Sequence, residues 1–182
     1  SEMCIRDRDS LNLSDIQQSL PGSYFLAPVT EDHKIEWHYP SHRIELVETA
    51  LEEFLLDLHA ADHKETLHVC HASREDIILG YIADYQHQRR RGELPFNSCM
   101  IVCGTDETPL STFVTDILEL QSQHNDDADW FPPILVTPHD TWETMERIRN
   151  FTPKHCAQDT RRVESAVEHY EPHIDFDLLL NR

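Results

Sequence analysis

The sequence predicts an α/β domain in which a mostly parallel β-sheet is flanked by helices on both faces. Segments with strand character alternate with segments whose apolar residues recur at helical spacing, as in right-handed β-α-β crossovers. The run "SCMIVCG" (98–104) is almost continuously apolar, which is typical of a central strand buried on both faces. With 182 residues, the chain has the length of one ordinary domain. Together these observations predict a three-layer, Rossmann-like sandwich.

The first eight residues, "SEMCIRDR", have no hydrophobic period and no signal-peptide layout. They look like a translated sequencing-library transposon end, so residues 1–8 are excluded from the fold prediction. If this interpretation is correct, the natural protein extends upstream. Residues 9–43 are then expected to be a linker with a short helix and a strand that belong to an upstream region.

The predicted N-terminal elements are short. A helix is predicted over "LNLSDIQQSL" (11–20), with Asn12 or Ser14 available as its N-cap. The segment "SYFLAPV" (23–29) has the composition of a strand. Residues 30–42 are polar and include a proline, so they predict a loop or a short edge strand.

The main domain is predicted to begin with a long amphipathic helix over "RIELVETALEEFLLDLH" (43–59). Its apolar residues form one helical stripe, and its glutamates lie outside that stripe. The stripe consists of Ile44, Val47, Leu51, Phe54, Leu55 and Leu58.

Three strand-helix units follow this helix. Strands are predicted at 66–72, 98–104 and 134–137. Helices are predicted at 74–90, 109–123 and 140–149, with a last helix at about 157–170. Ser73 is expected to cap the first of these helices, with Asp76 in its first turn, and Pro109 is expected to open the second.

The charge balance excludes some classes of partner. The chain has 34 acidic and 15 basic side chains and a net charge of -19, which argues against binding to nucleic acid or to an anionic membrane. No apolar run reaches the roughly 18 to 20 residues that cross a bilayer. Arg89, Arg90 and Arg91 are expected to meet the exposed carbonyl groups at a helix end. A phosphate-binding patch is the alternative for these arginines.

Cysteine usage predicts buried free thiols in a reducing compartment, either the cytoplasm or an organelle matrix. Outside the suspected transposon end, the cysteines are Cys70, Cys99, Cys103 and Cys156. A zinc site is the alternative, but Cys99 and Cys103 would lie about 13 Å apart on one strand, too far to share an ion. No metal and no cofactor are therefore expected.

The sequence lacks the common catalytic motifs. It contains no phosphate-binding P-loop, no G-x-S-x-G elbow and no H-E-x-x-H pair, and its four glycines cannot build a glycine-rich cradle. No residue is therefore assigned a catalytic role.

The strand-helix units resemble the DRTGG domain, an α/β module of long-form phosphate acetyltransferases. The segments that carry the resemblance are "SREDIILG", which matches a turn entering a helix, and "ILVTPHDTWETMERI", which matches a strand, a D-T-[FW] turn and a helix start. The resemblance covers residues 44–174, and residues 175–182 would begin a downstream linker. In one departure, "VCGTDETP" retains only Gly104 where the family usually has a Thr-Gly-Gly turn.

The resemblance implies a non-catalytic regulatory or structural domain that is a fragment of a larger protein. The parent protein would exchange an acetyl group between CoA and phosphate, and this domain would contribute to its homo-oligomer. Two alternatives remain open. The chain could be a stand-alone module that senses a small metabolite, or a purely structural oligomerisation spacer.

The candidate site lies where the predicted parallel strands end. The turns 71–75, 103–107 and 137–141 would share one sheet edge, with helix N-termini facing a common crevice. The candidate ligand-binding residues are Ser73, Arg74, Gly104, Thr105, Asp106, Thr137, His139 and Thr141. A small anionic metabolite is the expected ligand. The alternative is a set of empty turns, because the carboxylates of Asp76, Asp106, Glu107 and Asp140 would cap the same helices and repel an anion.

Overall fold

The computed structural model of the chain describes residues 10–59, 65–92, 98–117, 131–153 and 158–171. The strands are β1 (Ser10–Asn12), β2 (Tyr24–Phe25), β3 (His38–Pro40), β4 (Ile44–Leu46), β5 (Leu67–His71), β6 (Cys99–Cys103) and β7 (Ile134–Val136). The helices are α1 (Leu13–Ser19), α2 (Glu31–Glu36), α3 (Leu51–His59), α4 (Glu75–Arg91), α5 (helical over 112–117), α6 (Thr141–Asn150) and α7 (Thr160–Tyr170). The predicted α/β class is confirmed.

The main sheet has five strands in the order β2-β7-β6-β5-β4. Strands β4, β5, β6 and β7 are parallel to one another, and β2 pairs antiparallel with β7 at one edge. The strand β6 lies at the centre, and all five of its residues are buried, as the apolar run predicts. Because β4 to β7 follow the same order along the chain and across the sheet, this parallel part contains no reversal of strand order, the feature that forms a ligand crevice in many open sheets.

Two buried apolar clusters lie on the two faces of the sheet. Alternate residues of β6 contribute to different clusters: Met100 and Val102 to one, and Cys99, Ile101 and Cys103 to the other. The first cluster contains side chains of α3, α4 and α5. The second contains side chains of α1, α6 and the small β1-β3 sheet. The N-terminal segment therefore covers a face that the crossover helices α3, α4 and α5 do not cover.

The predicted long helix over 43–59 is wrong in its first part. Residues Ile44–Leu46 form β4, which pairs with Leu67–Val69 of β5, and α3 begins only at Leu51. Val47 extends this pairing by donating its N–H to the Val69 carbonyl at 2.8 Å. The alternation Ile-Glu-Leu fits both a helical stripe and a strand, so its partner in the sheet decides between them.

The segment 9–43, expected to be a linker, packs into the domain over its described residues. Helix α1 has the expected Asn12 N-cap, and Leu13, Ile16 and Leu20 are fully buried. The strand predicted within 23–29 is present as β2 and belongs to the main sheet.

Two other N-terminal elements differ from the prediction. Strand β1 was not predicted, and α2 replaces part of the loop predicted over 30–42. The Thr30 hydroxyl accepts the N–H of His33 and caps α2, so a local capping signal was present in the sequence. The short strand β3 agrees with the edge-strand alternative for the same segment, and it pairs with β1.

Two predicted helix starts are also wrong. The N-cap of α4 is Arg74, which makes no side-chain capping bond, and Ser73 lies one residue earlier. Helix α5 begins after Ser111, whose hydroxyl accepts the N–H of Val114 at 3.3 Å, so Pro109 lies outside the helix. The predicted positions of Asp76 in the first turn of α4 and of the three arginines in its last turn are confirmed.

Several predictions fall outside the residues that the structure describes. They concern residues 1–8, the end of the predicted helix at 118–123, Cys156 and residues 175–182. Cys70, Cys99 and Cys103 are free and buried, as expected for core thiols. Within the described ranges, no helix has both the length and the apolar character needed to cross a membrane.

Candidate functional site

The three predicted turns lie at one edge of the sheet because β5, β6 and β7 are parallel. Backbone hydrogen bonds connect the turns directly. The N–H of Ala72 donates to the Cys103 carbonyl at 2.9 Å, and the N–H of Gly104 donates to the His139 carbonyl at 2.6 Å. Each turn is therefore held by its neighbour, and the backbone groups that form these bonds are not free to bind a ligand.

Gly104 connects the second turn to the third and has a backbone conformation that favours glycine. Its φ is +79°, in the left-handed region that glycine adopts at low cost. A Cβ atom at this position would collide with the imidazole ring of His71. The N–H of Thr108 donates to the Gly104 carbonyl at 2.9 Å and closes the turn. Both the conformation and the close approach of His71 therefore disfavour a larger residue here.

Ser73 uses its polar groups within its own turn. Its backbone N–H donates to His71 Nδ1 at 3.2 Å, and its hydroxyl lies 2.9 Å from the same nitrogen. Because Nδ1 accepts an N–H, the neutral imidazole of His71 carries its proton on Nε2. The Ser73 hydroxyl lies one residue before the N-cap of α4 and binds His71 instead of the helix.

Arg74 is bound by neighbouring oxygen atoms. Its Nε and Nη2 atoms donate to the two carboxylate oxygens of Asp76, each at 3.1 Å, and Nη2 also donates to the Thr49 carbonyl at 2.9 Å. The hydrogen bond from Arg74 lowers the pKa of Asp76. An anionic ligand would therefore have to compete with Asp76 for the only cation predicted at this site.

The threonines after β6 and β7 also bind within the protein. The Thr105 hydroxyl donates to the Thr137 carbonyl at 3.0 Å. The Thr141 hydroxyl lies 3.1 Å from Cys103 Sγ, and that thiol donates to the Cys70 carbonyl. Burial raises the pKa of the Cys103 thiol, which keeps it protonated near neutral pH. The Thr137 hydroxyl is completely buried and has no hydrogen-bond partner.

His139 connects the third turn to the N-terminal segment. Its Nε2 lies 3.1 Å from the Pro21 carbonyl, and its Nδ1 lies 3.3 Å from Glu143 Oε2. Asp140 caps α6 by accepting the N–H of Glu143 at 2.7 Å, in agreement with its expected capping role. The carboxylate of Asp140 thus occupies the helix N-terminus at which an anion would bind.

The eight candidate residues differ in their positions at this edge. Gly104, Thr105, Thr137, His139 and Thr141 belong to the two turns after β6 and β7, which contact each other. Ser73 and Arg74 bind within or beside the turn after β5, and Asp106 is exposed. The described carboxylates of this edge outnumber its predicted cation, Arg74. A ligand site here stays a prediction.

Two residues of this edge were not predicted. His71 and Cys103 end adjacent strands, and they are direct partners in the parallel register. Their position at the last residue of each strand was a signal in the sequence. No sequence signal indicated that these two residues would pair, because their pairing depends on the register between β5 and β6.

A second polar cluster was missed entirely. It joins β1, α1 and β3 to α7 and consists of Ser10, Asn12, Asp15, His38, Asp159 and Arg162. No sequence pattern connects these residues, because Asp15 and Arg162 are 147 positions apart.

In the described ranges, no group of three or more histidine, cysteine, aspartate or glutamate side chains is arranged to hold a metal ion.

Comparison of the chain with models of protein families, with curated proteins and with solved structures found no match.

Proposed function

We propose that the chain is a non-catalytic regulatory or structural domain with a three-layer, Rossmann-like arrangement similar to the DRTGG domain. The observation that carries this proposal is the closed carboxyl edge of the sheet. Enzymes built on open α/β sheets usually place free polar groups at this edge, where they meet the substrate. Here the turns after β5, β6 and β7 bind one another through Gly104, Thr105 and Thr141.

The local structures of the two matching segments support the resemblance. The segment "SREDIILG" forms a turn and the start of α4. The segment "ILVTPHDTWETMERI" forms β7, a turn, and most of α6, whose N-cap is Asp140. The first has the turn and helix order, and the second the strand, turn and helix order, that the DRTGG pattern implies.

The parent protein in this proposal is a phosphate acetyltransferase of a reducing compartment, the cytoplasm or an organelle matrix. It exchanges an acetyl group between CoA and phosphate, and the present domain contributes to its homo-oligomer without touching either substrate. The three buried free thiols support the choice of a reducing compartment.

The proposal is tested first on the purified chain and then on its uninterrupted gene. We expect no acetyl-CoA:phosphate exchange by this chain above a heat-killed control. The gene should encode a P-loop-like region upstream and an acetyltransferase domain downstream. Deleting residues 10–171 from the parent should change the number of subunits in its oligomer or its response to metabolites, and the deletion includes residues 10–43 because they pack into the same domain. Exchange by the isolated chain that a point substitution abolishes would contradict the proposal.

A stand-alone metabolite sensor is the second candidate, and two features favour it. The N-terminus of α4 has no side-chain cap, and the buried Thr137 hydroxyl has no partner. Amide chemical shifts should be followed during titration with acetyl phosphate, pyruvate, phosphoenolpyruvate and nucleotides. Shifts clustered at 73–75, 104–106 and 138–141, and weakened by Arg74→Ala, would support a sensor. Asp76 already binds Arg74, and Asp140 already caps the N-terminus of α6. We therefore expect no response at millimolar ligand.

A further inference from the structure

The missed polar cluster attaches α7 to the N-terminal segment through charged groups. Arg162 donates through Nη2 to the Asp15 carboxylate and to the Ser10 carbonyl, and its Nη1 lies 3.5 Å from Asp159 Oδ2. The side chains of Arg162, Asp15 and Asp159 are at most 7% exposed. A guanidinium group therefore lies between two carboxylates with almost no access to water.

Asp159 is the most highly connected member of the cluster. It is the N-cap of α7, where its Oδ1 accepts the Arg162 N–H at 3.1 Å. The same oxygen lies 3.2 Å from His38 Nε2, and its Oδ2 accepts the Asn12 side-chain amide at 2.9 Å. Both oxygens of Asp159 are thus occupied by donors from three elements of the fold.

The charges of the cluster are balanced partly by helix ends. With His38 neutral, the two carboxylates and Arg162 leave one surplus negative charge. Burial lowers the pKa of His38, with Arg162 and Arg161 acting in the same direction, against the attraction of Asp159. Asp15 and Asp159 both lie at helix N-termini, whose partial positive charge offsets the surplus.

The other side chains of α7 that the structure describes contribute little apolar contact. Among its described side chains only Arg162 is buried, while Val163 and Val167 are 41% and 53% exposed. Surface helices usually dock by burying an apolar stripe. Among the described side chains of this helix, one buried arginine makes the contact instead.

We propose that Asp15, Asp159 and Arg162 form a charge latch, through which α7 docks on and undocks from the β1-α1-β3 unit while the five-stranded sheet remains folded. The latch does not depend on the proposed function, so an experiment that contradicts one of them leaves the other unaffected. The physical basis is the cost of desolvating ions. A buried ion pair adds little net stability because its charges regain water when it opens, whereas removing one partner leaves a buried charge uncompensated. The latch therefore opens at moderate cost when intact, and it strongly favours the undocked helix when Arg162 is removed, because two buried carboxylates are then left without a cation.

Native-state hydrogen exchange on the full chain tests the latch. In the natural sequence, amides of α7 should exchange faster than those of β5 and β6, because α7 opens without them. Arg162→Met should accelerate exchange in α7 by about 100-fold or more and in β5 and β6 by less than about 3-fold. Arg161→Met is the matched control, because it removes an exposed arginine from the same helix; we expect less than about 3-fold acceleration in α7.

Two results would overturn the latch. One is unchanged exchange in α7 of Arg162→Met, and the other is equal acceleration in α7, β5 and β6. If Arg162→Met does not fold, the natural chain decides the matter in a urea series below the unfolding transition. Exchange in α7 must then depend on urea less steeply than exchange in β6, because local opening exposes less surface than global unfolding. The same dependence in both elements would contradict the latch.

Discussion

The carboxyl edge of the sheet and the buried cluster beneath α7 use polar groups in different ways. At the edge, neutral hydroxyl, thiol and backbone groups join turns that are partly exposed, as in the Thr105 bond to the Thr137 carbonyl. In the buried cluster, charged groups join elements that are distant in sequence, as in the pairing of Asp15 with Arg162. A broken neutral bond near solvent is replaced by water, whereas a charge left alone in the interior is not. The two regions should therefore respond very differently to the loss of a single partner.

The largest effect is expected for Asp159→Ala. The change removes the acceptor for Arg162, His38 and Asn12 and the N-cap of α7. We expect the free energy that holds α7 in its docked position to fall by about 3–5 kcal/mol, because the helix loses its N-cap and the buried donors of His38 and Asn12 lose their acceptor. Urea denaturation followed by circular dichroism measures the loss. A loss as small as that of an exposed substitution would show that the cluster is not effectively buried.

The next effect concerns the turn at the carboxyl edge. Gly104→Ala combines a positive φ with a collision against His71 and should cost about 2–4 kcal/mol. Gly92→Ala is the matched control, since Gly92 also has a positive φ of +71° but open space around its Cα, and it should cost only about 1–2 kcal/mol. Equal costs for the two variants would mean that the contact with His71 places no constraint on the turn.

A smaller effect is expected for Thr105→Val. The variant loses the hydrogen bond to the Thr137 carbonyl, which should lower the free energy of unfolding by about 1 kcal/mol. Thr152→Val, at an exposed position after α6, is the control and should change stability by less than about 0.5 kcal/mol. If the cost of Thr105→Val were several times larger than the expected value of about 1 kcal/mol, the edge would respond like the charged cluster.

The smallest effect is a pH dependence that arises from His38. Its pKa in the folded chain lies below 6.5, its ordinary value, mainly because of burial. Between these two pKa values the unfolded chain binds more protons, so stability rises with pH and its full contribution is present above pH 6.5. Denaturation curves should show this rise as pH increases toward 6.5, and His38→Gln should reduce it. A stability that rises on acidification through the same range would reverse the assignment.

Much of the fold follows from local sequence signals. The apolar run of β6, a helix over 74–90, Asn12 as one of two possible N-caps of α1, and Asp140 as the cap of α6 were all predicted, and the structure shows each of them. These signals involve residues within a few positions of one another, so their physical cause is present in the sequence itself. The candidate edge was also predictable, because parallel strands place their carboxyl ends together.

The sequence alone thus determined the α/β class, the central strand and the position of the three turns. Only the tertiary structure decided that residues 44–46 form a strand, that the Thr105 hydroxyl binds the Thr137 carbonyl, and that Asp15 meets Arg162. In each case a short segment or side chain has several locally acceptable states of similar free energy. The partner that selects one of them comes from another part of the chain, and the register that brings the two together exists only in the folded protein.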